Sequence, residues 1–199
     1  MTVPTNRVLL LLAAFLTGLV ICLGGILYLT KGFSPASIAQ SAAVGGPFQL
    51  TDQDGRTITD ESLRGKPFLV FFGFTHCPDV CPTTLFEVSE IMKRLGPDAD
   101  RTAALFISVD PERDTPEKIK DYLSSFDPHL RGATGKPETV AAIAKAYRVY
   151  FKKIPTTGDD YTMDHTAIVY LMDKNGRFVA PFNMRRTPEA AADDLRRYL

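Results

Sequence analysis

The sequence predicts an α/β domain built on central parallel strands and preceded by one long apolar segment. Three observations carry this expectation. Phe68 to Phe74 and Ala103 to Val109 are near-continuous apolar runs rich in aromatic and β-branched residues, the pattern of strands covered on both faces. Between them Leu85, Val88, Met92 and Leu95 recur at helical spacing. Thr115-Pro116-Glu117 and Thr187-Pro188-Glu189 each offer a capping threonine, a proline suited to the first turn and an acid suited to a helix N-terminus.

Taken in chain order, the first element is an uncharged apolar run from Val8 to Leu29. At 1.5 Å per residue it reaches roughly 33 Å, enough to cross a bilayer core. It exceeds the apolar core of a signal peptide, so residues 1–31 are expected to be an uncleaved membrane anchor. Arg7 and the amino terminus precede the run and Lys31 follows it, which leans toward a cytoplasmic N-terminus and an exported domain. No Arg-rich, Ser-rich leader precedes the run, which favours a bacterial inner membrane with the domain in the periplasm. Residues 32–47, rich in Ser, Ala, Gly and Pro, read as a flexible tether. The rest of the 199-residue chain, 48–199, is one domain. The whole chain's 23 basic and 23 acidic residues leave no net charge to recruit nucleic acid.

Within that domain, Phe48-Gln49-Leu50 and Thr57-Ile58-Thr59 flank Asp54-Gly55, the signature of a short hairpin. Thr84 with Glu87 reads as a capping box, placing the start of the next helix there. A further helix is expected from about Pro137 to Tyr147, followed by an irregular segment. Thr166 to Met172 and Arg177 to Pro181 then read as strands joined through Asn175-Gly176. With paired cysteines after the first central strand, this order is that of a thioredoxin-like fold.

Those cysteines are the chemical focus. Cys77 and Cys81 sit where an apolar strand gives way to a helix, and a helix N-terminus favours thiolate over thiol. Four positions apart, they allow a disulfide of about 6 Å Cα separation or two sulfur donors on one metal ion. Three residues separate them, against two in thioredoxin-type redox motifs. Where thioredoxins place a proline ahead of the facing strand, this chain has Met163-Asp164-His165. Two sulfurs and the His165 imidazole form a soft, low-coordinate set suited to Cu(I), to Cu(II) with an added oxygen, or to zinc with one open position. His76 is set aside as a ligand because neighbours in a strand-like segment point opposite ways. His129 reads as a surface loop residue and Met163 as packing. Asp79 and Asp164 suit turns or hydrogen bonding to the imidazole. Asp110-Pro111-Glu112-Arg113-Asp114 reads as a turn into a helix, and Lys152-Lys153 and Arg185-Arg186 as solvated charge.

Three separated segments, residues 73–82, 108–114 and 160–166, resemble the SCO/SenC family of copper-binding assembly factors for cytochrome c oxidase, and the resemblance spans about Phe48 to Leu199. It implies a thioredoxin-like domain on one membrane helix, with copper held by Cys77, Cys81 and His165. It implies a metallochaperone serving the dinuclear copper centre of an oxidase subunit. A periplasmic copper donor or thiol reductant is then a further expected partner. The rival expectation is a thiol-disulfide oxidoreductase acting on cysteines of an exported protein.

Overall fold

A run of six residues without a polar side chain can serve as a strand only if both of its faces are covered, and Phe68–Gly73 is buried at every position. The computed structural model describes residues 14–26, 44–158 and 160–199, and the chain divides into two units, 1–43 and 44–199. In the first unit residues 14–26 are helical, with Phe15, Leu16, Leu19, Val20, Ile21, Leu23 and Ile26 all exposed. Among the described residues no helix is long and apolar enough to cross a membrane. The expected span, Val8–Leu29, runs past the described residues at both ends. The expected tether lies outside them as far as residue 43.

In the second unit the strands are β1 (Gln49–Asp52), β2 (Thr57–Thr59), β3 (Phe68–Gly73), β4 (Ala103–Ser108), β5 (Leu130–Thr134), β6 (Phe151–Pro155), β7 (Tyr161–His165), β8 (Val169–Met172) and β9 (Phe178–Pro181). The helices are α1 (Asp60–Leu63), α2 (Val80–Leu95), α3 (Pro116–Leu123), α4 (Pro137–Ala146) and α5 (Pro188–Arg196). Among the described residues the main sheet runs β2-β1-β5-β4-β3-β8-β9, with β5, β4 and β3 parallel and the other pairings antiparallel. The β-α-β unit expected between Phe68 and Val109 is present, and the mixed sheet with its covering helices is a thioredoxin-like α/β fold.

Helical spacing predicts the α2 core face correctly: Leu85, Val88, Met92 and Leu95 are all buried. Each large apolar side chain so buried contributes about 1.5–3 kcal/mol. Thr115 and Thr187 cap α3 and α5 by accepting from the Lys118 and Ala190 amides, each with proline in the first turn. α5 packs on α2, and α3 lies on β5.

The structure corrects the sequence reading at four places. α2 begins at Val80, one turn before Thr84, with Asp79 at the cap position and the Thr83 amide bonded to the Asp79 carbonyl. Pro82 fits that first turn because no intrahelical partner exists there for the N–H it lacks. β5 was not anticipated, since Gly132 and Ala133 weaken the strand signal. Gly132 is there for packing: a Cβ would lie 2.1 Å from Ile119 Cγ2, so only glycine lets α3 approach this closely. The segment expected to be irregular contains a hairpin, β6–β7, pairing Phe151 with His165 through Pro155 with Tyr161. The strand expected from Thr166 starts at Val169, so His165 ends β7 instead of preceding β8.

Candidate metal centre

Strand β3 delivers the chain to the C-terminal edge of the parallel strands, where it turns through residues 74–79 into α2. The Cys77 amide donates to the Phe74 carbonyl at 3.3 Å, closing the turn. One helical turn on, the Cys81 amide donates to Cys77 Sγ at 3.4 Å, so the first sulfur lies over the start of α2. Cys81 itself points inward and is fully buried, whereas Cys77 is half-buried, and both are free thiols. Beneath them Gly73 is required by close approach: a Cβ there would sit 2.8 Å from Cys81 Sγ and 2.7 Å from the Phe106 ring.

The third group arrives from the hairpin. His165 Nε2 lies 3.6 Å from Cys81 Sγ, and Nδ1 donates to the Thr166 carbonyl at 3.2 Å. That bond places the proton on Nδ1 and leaves the Nε2 lone pair facing the sulfurs. The rings of Phe71 and Phe74 meet the imidazole edge-on, with centroids 6.2 and 5.8 Å away. The donor atoms of Cys77, Cys81 and His165 all lie within 4.8 Å of one another, and no other such cluster occurs among the described residues. Cys77 and His165 open on a cleft of about 280 Å³ lined also by Pro78, Asp79, Val80, Thr162, Met163 and Asp164, with Cys81 buried behind them.

The electrostatics differ from expectation at one sulfur. Burial pushes the Cys81 thiol well above its ordinary range, and the neighbouring Cys77 and Asp114 add to the effect. Desolvation therefore outweighs the helix N-terminus at this position. Burial lowers the His165 pKa, opposed by its bond to the Thr166 carbonyl and by Asp164, so the imidazole is held neutral at and below its usual 6.5.

The remaining candidates are placed as follows. His76 is exposed, contacts Thr75 Oγ1 at 3.1 Å, and stands outside the cluster. Met163 is buried packing. Asp79 and Asp164 line the cleft and are exposed. His129 is more constrained than a loop residue: Nδ1 meets Asp127 at 2.7 Å and Nε2 meets Asp100 at 3.1 Å. Its pKa is raised, chiefly by the bond to Asp127. This stabilisation is complete below the unfolded value of about 6.5 and is lost as pH rises through the folded value. His129→Gln is accordingly expected to cost up to about 1 kcal/mol at pH 5.5 and almost nothing at pH 9, read from urea midpoints at the two pH values.

Sequence reasoning missed the supports of the site. Asp114, fully buried, accepts from the Thr75 amide at 3.0 Å, the Thr75 hydroxyl at 2.6 Å and the Ser108 hydroxyl at 2.6 Å. Arg113 and Tyr161 join the same loop to the hairpin. The available signal was an acid-arginine-acid run directly after a central strand ending level with the cysteines.

Fold and site together define a thioredoxin-like domain whose paired cysteines are joined by an imidazole from an inserted hairpin. The chain belongs to the SCO1/SenC family, whose model matches residues 36–199. It is 38% identical over 158 residues to Protein SCO1 homolog 1, mitochondrial, of Arabidopsis thaliana, covering 79% of this chain and 47% of that protein. It is 44% identical over 156 residues to Protein SCO1 homolog, mitochondrial, of Homo sapiens, covering 75% and 51%. The chain thus spans about half the length of these two relatives. The solved structure of Bradyrhizobium japonicum ScoI with copper bound is similar at a TM-score of 0.78 and 66% identity, covering 79% of this chain and all of that one.

Proposed function

We propose that this chain is a membrane-anchored copper metallochaperone that binds copper through Cys77, Cys81 and His165 and passes it to a cytochrome c oxidase subunit, maturing its dinuclear copper centre. The observation that carries the reading is the convergence of two sulfurs and one neutral imidazole nitrogen within 4.8 Å. Such a soft set suits Cu(I), and few ligands leave room for an acceptor thiolate to enter before the donors leave. Copper bound to a relative at 66% identity supports the same choice of metal. The all-exposed apolar helix at 14–26, inside the uncharged run from Val8 to Leu29, supports an anchor at 1–31 and a tether at 32–47. On this reading the domain, 48–199, faces the periplasm from the bacterial inner membrane.

The test is a competitive Cu(I) titration of the reduced full chain in detergent. His165→Ala is expected to weaken binding by more than about 100-fold, beyond the 10–100-fold typical of losing an outer partner. Equal affinity and spectra would remove His165 from the site. Because burial keeps Cys81 protonated at neutral pH, binding should release a proton and tighten as pH rises, seen by calorimetry in buffers of different ionisation enthalpy.

A second reading, thiol-disulfide exchange with an exported partner, is favoured by the adjacency of the two free thiols. It requires turnover on a disulfide substrate without metal and without dependence on His165.

A further inference from the structure

Among the described residues, the metal centre is assembled from two pieces that no ladder hydrogen bond joins. The cysteines belong to the β3–α2 junction of the main sheet, and His165 belongs to a hairpin that forms a sheet of its own. Beyond the packing of Met163 and Phe151 on the core, what connects them is the loop after β4. At one end of this loop Asp114 holds the Thr75 backbone and hydroxyl, two residues before Cys77. At the other end Asp110, also fully buried, accepts from the Tyr161 hydroxyl at 2.8 Å and from Arg113 Nε at 2.5 Å. Arg113 in turn donates through Nη1 to the Tyr161 carbonyl at 2.8 Å, and its guanidinium carbon stacks 3.7 Å above the Tyr161 ring. Tyr161 opens the strand that ends in His165.

We propose that the Asp110–Asp114 loop is a two-armed bracket that sets the distance between the sulfur pair and the imidazole, with Arg113, Asp110 and Tyr161 acting as positioning residues for metal capture. The inference rests on the reading of Cys77, Cys81 and His165 as ligands and adds the parts that hold them in register. One arm is anchored by three hydrogen bonds to a buried carboxylate, so the Cys77 side is fixed to the core. The other arm depends on a guanidinium fork reaching a carboxylate and a carbonyl at once, which a lysine cannot reproduce.

The experiment uses the full chain in detergent with Arg113→Lys and Tyr161→Phe, the second removing a single hydroxyl in case the first disturbs folding. Amide hydrogen exchange without metal, Cu(I) affinity, and the thiolate-to-Cu(II) charge-transfer spectrum are compared with those of wild type and His165→Ala. The expected result is at least about 10-fold faster exchange across residues 151–165, unchanged exchange in β3 and β4, an affinity loss of about 10–100-fold, and a displaced charge-transfer band. Unchanged hairpin exchange in both variants overturns the bracket. So does faster exchange with wild-type copper affinity and spectrum, since the hairpin would then be held but nothing positioned. If His165→Ala binds copper as wild type does, the ligand reading itself falls and the positioning role with it, a failure identifiable because the exchange data are taken without metal.

Discussion

Cys81→Ser is expected to cost the chain its copper while leaving the fold in place. Serine replaces a polarizable sulfur by a hard hydroxyl oxygen that has little affinity for Cu(I). The substituted position is the fully buried one that faces His165 Nε2, so no solvent ligand can readily take the sulfur's place. A drop of about 1,000-fold or more, roughly 4 kcal/mol of binding free energy, is expected by competitive titration. The fold should lose only about 1 kcal/mol, because the new hydroxyl can donate to the adjacent imidazole instead of standing unpaired. Retention of Cu(I) within about 10-fold of wild type, with a normal melting curve, would show that the buried sulfur is not a ligand.

Gly73→Ala is expected to damage stability and site together. The added methyl would lie 2.7 Å from the Phe106 ring and 2.8 Å from Cys81 Sγ, closer than real contacts of this kind, so both neighbours must shift. Overpacking of this kind costs about 1–3 kcal/mol, and each kcal/mol lowers Tm by roughly 2–4 °C in a domain of this size. Because the sulfur must move to relieve the clash, copper affinity should fall as well. Gly132→Ala, where the crowding atoms belong to Ile119 and Leu123, should lower Tm at least as much yet spare copper binding. That contrast separates a disturbed metal centre from a merely weakened core. Wild-type melting and copper binding in Gly73→Ala would mean that the sulfur is not seated against β3.

The cysteine pair was legible because a strand of unbroken apolar residues and a helix with a clear core face leave only one kind of junction between them. His165 was legible only through the fold and the family resemblance together, since more than eighty residues separate it from Cys81. Its element was misjudged: β6 and β7 show little of the apolar alternation that marks a strand, being exposed at Lys152 through Pro155. Such a hairpin exists because its backbone groups pair with each other and Tyr161 is clasped by Arg113, and both are tertiary facts. The thiolate expectation failed at Cys81 for a related reason. A helix start can be read locally, but complete burial is set by Gly73 and the packing above it. Asp110 and Asp114 looked like turn formers because a carboxylate's partners, here Tyr161 and Thr75, lie in distant segments.

The β6–β7 hairpin is closed at its base by the Thr166 amide on the Tyr150 carbonyl and the Tyr150 amide on Thr166 Oγ1. It shares no ladder with the seven-stranded sheet of the described residues. The arm bearing the imidazole therefore takes its seat from side chains, the Tyr161 hydroxyl on Asp110, Arg113 on the Tyr161 carbonyl and buried Met163, and not from a rung of the scaffold.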